Sequence, residues 1–276
     1  SNAKGGDPVV FTSSSTESLA GDWVGISFID QAVGKLWHTE IAHASYGIVG
    51  KNLSLNNSSE NDPEYIIDLD DVSFNLLSGD AIRLEQLKGP VRLNDLKIRD
   101  IGGTGISISG PGLSYIRGGE FLSNAGGGVT REGGFIELLE NRFVNNGGEF
   151  LANLSLGQGV FGYIEDNIFE GGIGIHCMKT KDLVIKQNLF KDSTVGLSGT
   201  NSRLSIQRNQ WLGCHLAMQF DGAIIPERIE LNVILGNGMS ISNSSSREVI
   251  AKNNWWGTSE ESLIRNKMDG VIVWEP

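Results

Sequence analysis

The chain has few of the residues that usually carry cross-links or metal chemistry. Of its 276 residues only 2 are cysteine, 4 histidine and 6 proline. Cys177 and Cys214 sit at different offsets of the repeat described below, in units two steps apart. Stacked repeats bring equal offsets together, so no disulfide is expected and each cysteine reads as a small buried filler. His38, His43, His176 and His215 show no metal-ligand spacing. No apolar run approaches the ~18 residues that a membrane-spanning helix needs. Positive charge is also scarce: 22 basic against 33 acidic residues leave a formal charge of -11. That excludes the concentrated positive field a nucleic-acid partner requires, and it would repel acidic polymers unless a cation intervened.

Glycine, by contrast, is abundant at 37 residues, and with it comes a repeat. An aliphatic residue is followed three positions on by a turn residue, and two positions later by a large apolar residue. The turn residues are Thr39, Val72, Leu96, Gly119, Asn141, Asn167, Asn188, Asn209, Asn232 and Asn253, spaced by 21 to 33 residues. Aliphatics such as Leu93, Leu138, Ile164, Ile185, Ile206 and Ile250 precede them; Phe121, Phe143, Phe169, Phe190, Trp211 and Trp255 are among the residues that follow. A fixed period of this size, with apolar residues alternating on either side of the turn, means stacked strand units rather than helical pairs. A further short strand follows a glycine in most units, as at Gly105, Gly172, Gly196 and Gly238. Each coil is therefore predicted to hold three short strands, paired in parallel with the next coil at about 4.8 Å. Asn suits the turn because it tolerates left-handed backbone angles, and six stacked amides can hydrogen-bond along the column.

With those offsets in hand the chain resembles the right-handed parallel β-helix family, the pectate-lyase-like superfold. Residues 9–28, ending Gly21-Asp22-Trp23-Val24-Gly25-Ile26-Ser27-Phe28, resemble the first coils of secreted bacterial β-helix proteins; Asn253-Asn254-Trp255-Trp256-Gly257-Thr258 resembles their last coil. The resemblance implies an all-β, single-stranded right-handed parallel β-helix of about ten coils, located outside the cell, in the periplasm or at the surface of a bacterium. Ser1, Asn2 and Ala3 read as the remnant of a cleaved tag, residues 4–257 as the β-helix and residues 258–276 as a capping helix and tail. The helix is expected over residues 258–270, with a capping box and a terminal glycine. Residues 51–63 read as a polar loop projecting from the coil, and the abrupt strand-like start suggests a missing coil or a longer natural protein.

Side chains that alternate with the buried ones form outward columns, and candidate sites are found by following one offset from coil to coil. The residue before the turn gives Asp71 with Asp95, and Glu140 with Asp166, as like-charged pairs on adjacent coils. Stacked carboxylates repel unless one is protonated or a cation lies between them, and oxygen-rich pairs suit Ca²⁺, which pectate-lyase-like enzymes use to bridge an acidic sugar. The same carboxylates can instead splay into solvent or accept backbone N–H groups. The strand after the glycine offers Arg83 and Glu85, then small and hydroxyl residues with His176 and Gln219, as a flat surface for a polymer lying across the coils. A third column is unexpectedly apolar: Leu122, Val144, Glu170, Lys191, Leu212, Leu235 and Trp256, with Ile168, Leu189 and Val233 beside it. Such a stripe implies a cover, for which the tail around residues 271–274 is the first choice and a neighbouring domain or self-association the alternative.

A lyase needs an Arg or Lys base beside metal and sugar, and a hydrolase two carboxyl groups across a cleft; neither set is recognisable in the sequence. The favoured expectation is a non-catalytic exported scaffold that binds a polysaccharide or cell-surface glycan, without an obligatory cofactor. The alternative is a Ca²⁺-dependent lyase of uronate-containing glycan.

Overall fold

The computed structural model describes residues 6–55, 64–148 and 150–275. Part of the predicted loop, residues 56–63, and the tag remnant lie outside the described residues. The chain winds into a parallel β-solenoid of about ten turns with one short helix near its carboxyl end. From Pro90 to Asn243 each turn contributes a strand to each of three columns, and in the earlier turns Gly34–Ala42 and Ile67–Asn75 run through the first two. The first column includes Pro90–Asn94, Leu113–Arg117, Phe135–Leu139, Phe161–Glu165 and Leu183–Lys186; the second includes Lys97–Arg99, Glu120–Leu122, Arg142–Val144, Ile168–Glu170 and Leu189–Lys191. The third runs in eleven strands from Ile26–Ile29 to Met268–Gly270. Every pairing is parallel and joins equivalent offsets, for example Phe143 to Phe169 and Phe169 to Phe190.

The predicted inward stack is present. Phe121, Phe143, Phe169, Phe190 and Trp211 are buried, with successive ring centroids 4.6, 5.0, 5.2 and 4.9 Å apart and planes within 13° of parallel. The stack explains the glycines that open the third strand. A Cβ at Gly174 would meet Gly196 O at 2.3 Å and the Phe190 ring at 2.9 Å, and one at Gly196 would meet the Trp211 ring at 2.5 Å. For the same reason Gly174, Gly196, Ala217 and Ser240, small residues of the strand that follows the glycine, are buried and not part of the outward surface expected there: the corner into the third column has two consecutive inward residues.

The Asn column is a ladder of buried amides. Asn167 Oδ1 accepts the backbone N–H of Asn141 at 2.8 Å and its Nδ2–H at 3.0 Å, and the pattern repeats to Asn188, Asn209 and Asn232. Each Nδ2 also donates to a backbone carbonyl of the preceding coil, and all but that of Asn232 to one of its own coil, as Asn188 does to Ile164 and Lys186. A buried amide left unpaired would cost about 1–3 kcal/mol, so satisfaction along the whole column matters more than any one bond.

Two features of that column differ from the sequence expectation. The left-handed residue is the one before the turn position, whether that position holds Asn or not: Asp71, Asp95, Glu140, Asp166, Gln187, Arg208 and Leu231 all have φ between 50° and 59°. The ladder Asn is inward because the left-handed residue beside it turns the chain. The last rung is Asn254, which accepts from Asn232 at 3.0 and 2.9 Å, and Asn253 is the left-handed residue. A one-residue slip inverts every face. Trp256 and Ala251 therefore point inward, whereas Trp255 and Ile250 are exposed.

The carboxyl end also departs from expectation. The helix is only Glu261–Arg265; its N-cap Glu260 makes no side-chain cap bond, so the capping box does not form, and Ile264 plugs the end of the core. Gly270 ends a strand, not the helix. Ile272–Glu275 pairs with Val249–Lys252, because that strand edge would otherwise be bare; the tail extends the stack and does not cover the apolar stripe.

Candidate functional site

Two outward regions concentrate functional side chains, both on or beside the first column. The larger is a furrow of aromatic rings along the solenoid axis. Counting back from the turn position, Tyr115 and Tyr163 lie four residues before it, and Phe135 and Phe161 six before; Tyr65 joins them from an earlier coil. The rings touch in sequence: Tyr65 to Tyr115 at 6.2 Å, Tyr115 to Phe135 at 5.8 Å, and Phe135 to Phe161 at 5.7 Å and Tyr163 at 6.1 Å. They meet at interplanar angles of 55° to 84°, the tilted and edge-to-face arrangements that aromatic quadrupoles favour. Phe161 and Tyr163 are 43% and 47% exposed.

The furrow opens at each end into a shallow hollow. One, of about 430 Å³, is lined by Lys35, Glu64, Tyr65, Asp68 and Arg92. There Arg92 lies 4.8 Å over the Tyr65 ring and makes two 2.8 Å bonds to the Asp68 carboxylate, which Lys35 also approaches at 3.3 Å. Burial raises the pKa of Asp68, but Arg92 and Lys35 together outweigh it and hold the carboxyl below its usual range. The other hollow, of about 280 Å³, lies between Glu137, Leu139, Tyr163, Glu165 and Lys186, with Lys186 paired to Glu165 at 2.8 Å.

The second region is a groove of about 480 Å³ at the first bend, lined by Trp37, His38, Asp70, Asp71, Asp95, Lys97, Gly118 and Glu120. It brings together two of the predicted metal ligands, Asp71 and Asp95. Asp71 is engaged by His38 Nδ1 at 2.6 Å, and His38 Nε2 lies 2.8 Å from the Gly6 carbonyl oxygen. A carboxylate and a carbonyl can only accept, so this geometry needs both ring nitrogens protonated. The hydrogen bond to Asp71 and then that to Gly6 raise the His38 pKa accordingly. The other predicted pair is bonded to separate partners: Glu140 accepts from Arg117 at 2.9 and 3.0 Å, and Asp166 from Gln187 at 3.2 Å. Among the described residues no three His, Cys, Asp or Glu side chains are grouped closely enough to hold a metal ion.

The predicted polymer-binding residues share the outer face of the third column but not one site. His176 pairs in register with Ser155 and Ser198, and Gln219 with Ser198 and Ser242. Arg83 lies four coils from His176, bonded to Asp80 at 2.8 Å and stacked 4.7 Å from the Tyr46 ring, while Glu85 pairs in register with Lys51. His176 is half-buried, and burial lowers its pKa. In the apolar column, Ile168 is 37% exposed; Trp256 leaves the stripe for the interior, and Trp255 takes an exposed place beside Val233.

Set against known proteins, the chain matches no family model, no curated protein and no solved structure. The fold therefore stands on the solenoid geometry alone. No helix among the described residues is long and apolar enough to cross a membrane.

Proposed function

We propose that the chain is an exported, non-catalytic β-solenoid module that binds a polysaccharide or cell-surface glycan along its outer face. The observation that carries this reading is the aromatic furrow, in which Phe161 and Tyr163 are exposed and Tyr65, Tyr115 and Phe135 half-buried. Pyranose rings present apolar C–H faces, and aromatic rings bind such faces while their flanks supply polar groups for the hydroxyls. The furrow is open at both ends and follows the axis, so it suits a linear polymer better than a small molecule. Pull-down on insoluble polysaccharides tests it. Tyr115→Ala with Tyr163→Ala should weaken retention about tenfold while Tm stays near that of the parent, because both side chains point outward. Retention unchanged in that variant would remove the furrow from the reading.

The groove at His38 favours a second reading, a Ca²⁺-dependent lyase of uronate-containing glycan, because it gathers carboxylates, a histidine and Lys97 in one hollow. Lys97 would be its base and Asp71 with Asp95 its metal ligands. Absorbance of an unsaturated product from acidic polysaccharide, dependent on Ca²⁺ and lost in Asp95→Asn, would establish it over the binding role. The same assay on Glu140→Ala and Asp166→Ala tests the other carboxylate pair.

A further inference from the structure

We infer that the aromatic furrow selects an uncharged polysaccharide and discriminates against uronate polymers; this rests on the glycan-binding reading above. The inference comes from the charges bordering the rings. The cations beside the furrow are already engaged by carboxylates of the chain: Arg92 and Lys35 share Asp68, with Glu64 lining the same hollow, while Lys186 pairs with Glu165 and Arg117 with Glu140. Among the described residues, two cations thus face two carboxylates, Asp68 and Glu64, in the hollow at Tyr65, while Glu137 adds a negative charge beyond the Lys186–Glu165 pair in the hollow at Tyr163. A polyanion laid along the furrow would have to break these pairs and approach a chain of formal charge -11. A neutral polymer meets neither cost, and its hydroxyls can bond the outer oxygens and nitrogens of the existing pairs.

The dimensions favour a single polymer chain over a protein. The ring-bearing strip is about 7 Å wide along the strands and about 19 Å long over four coil steps. That is on the order of 130 Å² of apolar surface, against roughly 800 Å² per partner in a stable protein interface. The bordering column of Arg117, Leu139, Glu165 and Lys186 carries three charged side chains, so on that side the strip gains only Leu139.

Affinity electrophoresis of the full chain, in gels holding xylan or mixed-linkage β-glucan as neutral probes and polygalacturonate as the acidic one, decides the matter. At least one neutral polymer should retard the protein equally at low and high salt. Polygalacturonate should bind about tenfold more weakly or not at all, even at low salt. Asp68→Asn with Glu165→Gln frees Arg92 and Lys186 and should create salt-sensitive retardation by polygalacturonate. Should that variant not fold, the salt dependence of the parent still decides. Tighter binding of polygalacturonate by the parent, lost in Tyr115→Ala with Tyr163→Ala, would overturn the selectivity while keeping the glycan-binding role. No retardation by any polymer would overturn the role itself. A dimer that dissociates on Phe161→Ala would make a second copy the occupant and overturn both.

Discussion

The amino-terminal and carboxyl-terminal coils solve the same turn with different interiors. At the ladder offset the first coils carry Thr39, Val72, Leu96 and Gly119, whereas the later ones carry Asn141, Asn167, Asn188, Asn209, Asn232 and Asn254. Thr39, Val72 and Leu96 are 4%, 1% and 0% exposed, as deeply buried as the amides. What the two halves share is the left-handed residue just before, from His38 and Asp71 to Leu231 and Asn253. The bend is thus set by backbone conformation at one offset, and the next offset is only an inward place that a connected amide column or plain apolar packing can fill. The halves differ in consequence: an apolar rung depends on volume, an amide rung on its neighbours.

Asn188→Val puts the comparison under most stress, because it installs at one offset of the amide half the residue that the apolar half uses at position 72. It strands the backbone N–H and Nδ2–H donors of Asn167 and leaves the Ile164 and Lys186 carbonyls without the Nδ2–H they accept. A loss of about 3 kcal/mol in denaturant unfolding is expected. A loss under about 1 kcal/mol would mean that the two interiors are interchangeable and that the ladder adds nothing beyond filling space.

Leu231→Gly tests the shared element and should have a smaller effect of opposite sign. Leu231 holds φ 59° with a side chain 50% exposed, so its burial offsets little of the left-handed cost. Glycine there should raise stability by about 1 kcal/mol, less the entropy of the freer unfolded chain. At Gly118 the reverse applies: φ is 67° and a Cβ would meet Asp95 Oδ1 at 2.3 Å, so Gly118→Ala should destabilise. If both changes were neutral, the bend would not depend on that backbone position.

Much of this was legible in the sequence, for stated physical reasons. Strand alternation and a fixed period gave the columns, the inward aromatic stack and the amide ladder, since both depend on equal offsets meeting. The last rung was misplaced because Asn253-Asn254 and Trp255-Trp256 are doublets, and a doublet satisfies the pattern in either register. The left-handed residue was missed because its identity varies from Asp to Leu; only the backbone shows that it is one element. The furrow was missed for a different reason. Its rings lie at offsets four and six before the turn, where Tyr115, Phe135, Phe161 and Tyr163 alternate between offsets, so no single column reads as aromatic. Reading those two offsets together across coils would have found it. The pairing of Asp71 with His38, rather than with Asp95, depended on rotamers that no spacing reports.

The smallest expected effect concerns the first coil, where the comparison meets the groove. The strand Val9–Phe11 is an edge, paired only with residues 39–41, and two histidines bracket it: His38 reaches the Gly6 carbonyl and His43 Nδ1 lies 2.8 Å from Thr12 Oγ1. The folded-state pKa of His38 is raised above its ordinary value of 6.5, so its contribution is complete below that value and disappears as pH rises through the raised one. Asp71 and Lys97 act on it with opposite sign, the first raising and the second lowering its pKa. Between mildly acidic and mildly alkaline pH, amide hydrogen exchange at residues 9–11 should therefore quicken more than at the central strand Leu183–Lys186, which no histidine borders. His38→Gln should abolish that pH dependence while leaving the edge strand paired. Exchange that responds to pH equally in the variant and the parent would detach His38 from the edge and leave backbone pairing with residues 39–41 as what holds the first strand.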